Sequence, residues 1–292
     1  MGEEPTVLVC VGATKSGTSW LYRHLRAHPD CHFRTIKELH YFDMSRPEHF
    51  AAAEARVAQQ IAALTTRSDL AGDPARAERL ADLIEWRGVL ARGVIDLGAY
   101  RGFLMGGWSG QRVVGEVTPA YAMLPVQRLR RIAELGAVKV LFLMRDPLAR
   151  TWSHIRMVAA RTGAAFETTA RALLARMVSG DLSGEGRGIA ERGDYAGIIP
   201  RLQAAFAPGA LHVDFYEDML ARPGLQRLWG FLGIGPGPVA LDAKVFESPK
   251  LNMTGAEAGA LRRWLAPQYD FVSGLMPNLP QAWRANMEEG LA

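Results

Sequence analysis

Residues 6–19, Thr-Val-Leu-Val-Cys-Val-Gly-Ala-Thr-Lys-Ser-Gly-Thr-Ser, decide the fold of this chain. The first six of them form a continuous apolar run of β-forming residues, typical of a strand buried on both faces of a parallel sheet. A glycine-rich turn follows, and apolar residues then recur at helical spacing from Thr18 until Pro29 ends the pattern. A strand, a glycine loop and a helix in this order predict a phosphate-binding loop at residues 12–19.

The composition is that of an ordinary globular protein. The chain has 292 residues, of which 49% are hydrophobic and 22% charged, and this suits one α/β domain with a sizeable core. A net charge of +4 favours an anionic ligand but is too small to indicate nucleic-acid binding. The N-terminus is acidic, unlike a signal peptide, and no apolar run approaches ~18 residues. We therefore expect a cytoplasmic protein without a transmembrane segment, and its oligomeric state is not readable from the sequence.

Further strands alternate with helices along the chain. Residues 138–144 form a second buried apolar run, residues 211–216 form a third, and residues 112–115 resemble a short strand. Helical patterns occupy most of the segments between them. This alternation predicts an α/β fold, a P-loop-like parallel β-sheet flanked by helices on both faces, in a single domain over residues 1–292.

The glycine loop carries its lysine at an unusual position. Gly12 and Gly17 have the spacing of the nucleoside-triphosphate loop GxxxxGK[ST], but Thr18 stands where that loop requires lysine. The only lysine of the loop, Lys15, comes two residues before the second glycine. In a kinase or ATPase the lysine reaches the β- and γ-phosphates beside a magnesium ion. The shift therefore argues against ATP and places the cation beside a 5′-phosphate and its leaving group.

Two motifs together resemble the sulfotransferases that use 3′-phosphoadenosine 5′-phosphosulfate (PAPS). Residues 14–21, Thr-Lys-Ser-Gly-Thr-Ser-Trp-Leu, resemble their 5′-phosphosulfate loop, and residues 143–154, Leu-Met-Arg-Asp-Pro-Leu-Ala-Arg-Thr-Trp-Ser-His, resemble their 3′-phosphate segment. The resemblance extends to residues 191–195 and 215–218. Residues 37–43, Lys-Glu-Leu-His-Tyr-Phe-Asp, are similar to the Glu-x-His-Phe-Phe segment of heparan sulfate and bacterial carbohydrate-type enzymes, rather than to the cytosolic aryl enzymes.

The resemblance implies that PAPS is the donor, that 3′,5′-ADP is the nucleotide product and that no metal is needed. It places Arg145 and Ser153 on the 3′-phosphate and Lys15 on the leaving phosphate. The full set of implied nucleotide contacts is Thr14, Lys15, Ser16, Gly17, Thr18, Ser19, Trp20, Arg145, Ser153, Tyr195 and, from a poorer match near the C-terminus, Lys250.

Two residues are candidates for the general base. The acceptor is expected to be a hydroxyl or amine that loses its proton as it attacks sulfur, and a carboxylate within hydrogen-bond reach can take that proton. Glu38 is favoured, and we expect partial burial to raise its pKa. His40 lies on the same side if the segment is extended, and it either is the base itself or orients Glu38.

The sequence leaves the acceptor open. Some polysaccharide enzymes carry a lysine in the segment that corresponds to residues 115–121, but Val117 stands at that position here. Residues 46–112 are rich in alanine and arginine and predict a helical insertion, with a loop-rich stretch at 98–110. A second region, residues 155–190, contains a glycine- and serine-rich loop that we expect to be mobile. Both regions are interpreted as acceptor-binding parts of the protein.

Three acceptor classes and two rival functions therefore remain. The acceptor is a carbohydrate, a small alcohol or a lipid. The rivals are a P-loop-type nucleoside or small-molecule kinase and a non-catalytic relative that binds nucleotide without turnover. The two cysteines, Cys10 and Cys31, have no metal-type spacing and predict neither a disulfide framework nor a metal site.

Overall fold

The computed structural model describes residues 4–66, 72–162, 165–238 and 249–291. Within these ranges the strands form one five-stranded sheet, and every pair of neighbouring strands is parallel. This confirms the predicted α/β fold with a parallel sheet. In the spatial order β2-β3-β1-β4-β5, the strands are β1 (Thr6–Gly12), β2 (Cys31–Phe33), β3 (Val113–Val117), β4 (Val138–Met144) and β5 (Leu211–Phe215).

Helices cover both faces of the sheet because successive residues of each strand point to opposite faces. In β1, Val7, Val9 and Val11 belong to one apolar core, while Leu8 and Cys10 belong to the other. In the described ranges the α-helices are α1 (Thr18–Arg26), α2 (Pro47–Thr65), α3 (Pro74–Leu90), α4 (Leu97–Met105), α5 (Val126–Ala133), α6 (Pro147–Arg161), α7 (Phe166–Val178), α8 (Glu185–Glu191), α9 (Tyr195–Ala205), α10 (Tyr216–Met219), α11 (Arg222–Leu232), α12 (Gly255–Leu275) and α13 (Gln281–Leu291). None of these described helices is long and apolar enough to cross a membrane.

The strand order fixes where a ligand can bind. The central strand β1 pairs with β3 on one side and with β4 on the other, so the order of the strands reverses at β1. In an open parallel sheet the crevice at such a reversal, beyond the carboxyl ends of the strands, is where ligands bind. The loops that follow β1, β2 and β4 all leave the sheet at this edge.

Three elements differ from the sequence prediction. Residues 98–110 contain helix α4 rather than only a loop, because the Asp96 side chain caps its first turn by accepting from Ala99 N at 2.8 Å. Tyr100 of this helix is fully buried and stacks on Tyr41 with ring centroids 4.6 Å apart. Strand β2 was missed because it has only three residues and pairs with β3 alone. The predicted glycine loop at residues 180–188 also includes the start of helix α8.

The contact between β1 and β3 supports a stability prediction. A Cβ atom at Gly115 would lie 2.3 Å from the Leu8 carbonyl oxygen, and backbone in a paired sheet cannot move aside cheaply. We predict that Gly115→Ala lowers the free energy of unfolding by about 2 kcal/mol, as overpacking does. The matched control is Gly102→Ala on α4, where the added methyl meets nothing within 4 Å and stability should rise by about 0.5–1 kcal/mol. Urea unfolding of the three proteins measures both changes, and equal stabilities would contradict the prediction.

Candidate active site

The loop between β1 and α1 ends in an open helix N-terminus. Gly17 is the N-cap of α1, in the left-handed conformation with φ 75°, and it has no side chain that could cap the first turn. The first turn also contains no acidic residue. A side chain at Gly17 would collide with the Tyr216 ring, since its Cβ would lie 2.0 Å from a ring carbon. Backbone N–H groups without a cap and a helix dipole together favour an anion at this point.

Lys15 lies in this loop and is surrounded by positive charge. Its pKa is lowered, first because the side chain is largely buried and then because of the nearby arginines Arg145, Arg156 and Arg161, with a smaller effect from Lys37. The charges that act most strongly on Lys15 are thus all cations. Such a group of cations is stabilised when an anion binds among them, so this part of the site fits a phosphate-bearing ligand.

Arg145 follows β4 and reaches the same loop. Its Nη1 donates a hydrogen bond to the Lys15 carbonyl oxygen at 3.1 Å, and its guanidinium carbon lies 5.3 Å from the centroid of the Tyr216 ring. The Tyr195 hydroxyl accepts from Arg145 N at 3.1 Å and donates to Arg145 O at 2.6 Å. Tyr195 is fully buried, and these two hydrogen bonds fix the position of the Arg145 backbone.

A buried network fixes the segment that follows Arg145. The Asp146 carboxylate caps α6 by accepting from Ala149 N at 2.9 Å, and Asp146 N donates to Glu217 Oε1 at 2.9 Å. Trp283 of the C-terminal helix α13 is fully buried and donates to Glu217 Oε2 at 3.1 Å. Ser153 lies on α6 and is only 7% exposed. No sequence pattern predicts that the C-terminal helix supports this segment.

Glu38 lies in the loop after β2. Its N–H donates to the Val117 carbonyl oxygen at 3.1 Å, which ties the loop to the end of β3 beside the central strand. The Glu38 carboxylate contacts Lys37 Nζ through Oε1, and Oε2 lies 3.8 Å from His40 Nε2. Burial acts to raise the pKa of Glu38, but His40 and Lys37 outweigh it and lower that pKa to about 2. The expected rise was therefore wrong, because two cations compensate for the partial burial.

His40 is held between two carboxylates. Its Nδ1 lies 2.7 Å from Asp43 Oδ2, and Nε2 faces Glu38. Hydrogen bonds to Asp43 and then to Glu38 raise the pKa of His40 to about 10 despite its partial burial. His40 is therefore an imidazolium at neutral pH. Asp43 is a site residue that the sequence reasoning missed, although its spacing of three from His40 is visible.

The backbone of the site is strained where the three residues predicted to be catalytic lie. Among the described residues, the non-glycine residues with positive φ are Lys15 at 72°, Glu38 at 64° and His40 at 54°. Each such residue costs on the order of 1 kcal/mol and persists only where its surroundings enforce it. Strain of this kind concentrates at functional sites, so the backbone independently marks the three positions.

The surroundings of Val117 and Lys250 bear on two of the expectations from the sequence. Val117 is fully buried and points into the core, so no charge comes from there, whereas Lys37 is only 17% exposed and pairs with Glu38. Lys250 is exposed, and its neighbour Leu251 is tied to α6 by a 2.8 Å hydrogen bond from Trp152 Nε1 to Leu251 O. The preceding Ser248 lies outside the described residues.

One buried arginine near the site also escaped the sequence reasoning. Arg150 on α6 is 1% exposed and has no carboxylate partner among the described residues. Its Nη2 donates to Ile189 O at 3.1 Å and to Thr151 Oγ1 at 3.0 Å, while Nε and Nη1 have no hydrogen-bond partner in the part of the chain that the structure describes. Arg145 and Arg192 add to the burial that lowers the pKa of this guanidinium. Arg150 therefore extends the positively charged groups of the site into the core.

The described residues contain no group of histidine, cysteine, aspartate and glutamate arranged to hold a metal ion.

Comparison with known proteins gives a family and related structures. A family model described as "Sulfotransferase family" matches residues 5–234. The fold is similar to the crystal structure of a sulfotransferase from Alicyclobacillus acidocaldarius, with 22% identity, a TM-score of 0.61 and coverage of 97% of this chain and 99% of the other. It is also similar to the sulfotransferase domain of the Synechococcus PCC 7002 olefin synthase, with 16% identity, a TM-score of 0.50 and coverage of 89% and 88%. No curated protein matches the sequence.

The charge state of His40 gives a prediction with a definite sign. Because its pKa of about 10 lies above the ordinary 6.5, protonation stabilises the fold at pH below 6.5, and this contribution is lost as the pH rises through about 10. Glu38 behaves oppositely, and its contribution is lost as the pH falls from 4.5 toward 2. We predict that NMR of the His40 ring shows no titration between pH 6 and 8.

The matched variant for this titration is Asp43→Asn, which removes the larger of the two interactions that raise the pKa. Its His40 signal should titrate at lower pH, toward 6.5, and His40→Gln assigns the signal. A wild-type midpoint near 6.5 would show that the two carboxylates do not hold the imidazolium.

Proposed function

The chain belongs to the sulfotransferase family, and on that basis we propose that it moves a sulfonate group from PAPS to a hydroxyl or amine of an acceptor. The observation that carries the proposal is the contact between the two predicted phosphate segments. Arg145 Nη1 donates to Lys15 O at 3.1 Å although 130 residues separate them in the chain. Two cationic segments side by side suit a nucleotide that carries phosphates at two positions.

The residues of the site fit each end of that nucleotide. The 5′-phosphate is assigned to the backbone N–H groups of residues 14–19, to their hydroxyls and to the Lys15 ammonium. The 3′-phosphate is assigned to Arg145 and Ser153, with Tyr195 holding Arg145 in place. PAPS supplies an activated sulfonate whose departure leaves negative charge on the 5′-phosphate.

Lys15 is proposed to stabilise that developing charge. Burial and then the neighbouring cations lower its pKa in the free protein, and a bound phosphate offsets both effects and strengthens the ammonium form. A fixed cation placed where charge develops needs no reorganisation during transfer, which is a large contribution to catalysis. Lys37, close to both Lys15 and Glu38, is proposed to supply the second cation that Val117 cannot.

Glu38 is proposed as the general base, and His40 as its positioning partner. Since His40 is an imidazolium held by Asp43, both of its ring nitrogens carry protons and it cannot accept another, whereas Glu38 is ionised at neutral pH. A carboxylate with so low a pKa takes the proton late, when the acceptor oxygen has begun to bond to sulfur. The acceptor is a carbohydrate, a small alcohol or a lipid, and the chain is proposed to work in the cytoplasm.

The test is transfer of label from PAPS to a panel of glycans, phenols, small alcohols and hydroxylated lipids. We predict that Glu38→Gln lowers kcat by about 100-fold, as loss of a general base does, while the affinity for 3′,5′-ADP is kept. Lys15→Ala should lose both turnover and nucleotide affinity. The matched control is Glu134→Gln, which removes an exposed ion pair with Arg131 and should change neither.

Two outcomes separate the parts of this proposal. Full turnover in Glu38→Gln would refute the base assignment but leave sulfonate transfer standing. Absence of labelled product from every acceptor, together with no binding of 3′,5′-ADP, would refute the proposed reaction itself.

A further inference from the structure

An open cleft of about 460 Å³ adjoins the base, and its volume lies in the range of small-molecule sites. We propose that this cleft binds the acceptor, and that the acceptor carries an anionic group, a carboxylate, phosphate or sulfate, at the end remote from the reacting hydroxyl. The inference rests on the proposed sulfonate transfer and names its substrate class. The cleft is lined by His40, Asp43, Met44, His49, Ala52 and Arg56.

The two sides of the cleft come from different elements. One side is the loop after β2, which carries His40 and Asp43. The other side is a single face of helix α2, on which His49, Ala52 and Arg56 recur at intervals of three and four residues. The adjacent face of α2 packs into the core through Phe50, Ala53 and Val57, so the helix cannot rotate to move these side chains away. The cleft is therefore a fixed part of the helical insertion.

The end of the cleft beside the base is mixed in charge. The carboxylates of Glu38 and Asp43 are matched there by the cations His40 and Lys37. Among the described residues, Asp43 Oδ1 is buried without a hydrogen-bond partner. The carboxylates accept hydrogen bonds and the cations are already paired, so this end suits the hydroxyl or amine of the acceptor better than its anionic group.

The other end of the cleft is basic. Arg56 is exposed and has no ion-pair partner among the described residues, whereas Glu54, two positions earlier, is paired with Arg87 instead. His49 Nδ1 accepts from Ser45 N at 3.2 Å, so its proton lies on Nε2, which is a donor. A guanidinium and an imidazole N–H are groups that bind carboxylate or phosphate.

The two donors of the basic end lie at different distances from the base. His49 and Arg56 are seven residues apart on α2, which is about 10 Å along a helix axis. His49 adjoins the loop that carries His40, so Arg56 is the farther of the two from the base. An anionic group bound by Arg56 therefore lies at the end of the cleft remote from the reacting hydroxyl.

The test uses matched pairs of acids and their neutral methyl esters as acceptors with labelled PAPS. The pairs are 4-nitrophenyl β-D-glucuronide, 4-hydroxyphenylacetate and 12-hydroxydodecanoate, each with its methyl ester. We expect the best acceptor to be an acid, preferred over its own ester by about 10-fold in kcat/KM, as one charge-assisted contact at an open site allows. In Arg56→Gln the preference should fall below about 3-fold through a rise in KM, with kcat unchanged.

Two controls isolate the role of Arg56. Arg56→Lys keeps the charge and should retain most of the preference, while Arg284→Gln removes an exposed arginine from α13 and should leave it intact. The inference would be overturned if the esters were sulfated as well as their acids, or if the preference for the acid over its ester persisted in Arg56→Gln. So would the absence of any sulfated acid from a protein that still binds 3′,5′-ADP, whereas loss of 3′,5′-ADP binding would instead refute the proposed reaction.

Discussion

The candidate active site is organised around positively charged groups at the carboxyl end of the central strand, β1. The loop after β1 brings Lys15 there, the loop after β4 brings Arg145, and the open N-terminus of α1 adds the helix dipole. In the free protein these groups repel one another, and this repulsion adds to the burial that lowers the pKa of Lys15. The order of the strands makes this arrangement possible, since β1 and β4 are parallel neighbours whose loops leave the same edge of the sheet.

Glu38, His40 and Asp43 lie in the loop after β2, and the carboxylates of Glu38 and Asp43 compensate part of that positive charge. The carboxylates hold His40 as an imidazolium, and His40 with Lys37 keeps Glu38 ionised. The site thereby has a cationic half, where we propose that the nucleotide binds, and a mixed-charge half, where we propose that the acceptor binds. Positive φ at Lys15, Glu38 and His40 adds a cost in backbone strain at three positions of this site.

Much of the fold was predictable, because long apolar runs and a glycine loop carry strong local signals. Strands β1 and β4, the parallel sheet and the helices around it follow from such runs. Strand β2 was not predictable, since three residues acquire strand geometry only by pairing with β3. The pKa of Glu38 was mispredicted because its sign depends on how close Lys37 and His40 come, which periodicity does not encode. Asp43 and Arg150 likewise gain their importance only from tertiary contacts.

Calorimetric titration with 3′,5′-ADP, 5′-AMP and ATP-magnesium measures whether the cationic site binds two separate phosphates. We predict that 3′,5′-ADP binds about 100-fold more tightly than 5′-AMP, since the 3′-phosphate adds charge-assisted hydrogen bonds. Arg145→Gln should remove most of that difference, and ATP-magnesium should bind weakly. Equal affinities for 3′,5′-ADP and 5′-AMP, or tight binding of ATP-magnesium, would contradict this prediction.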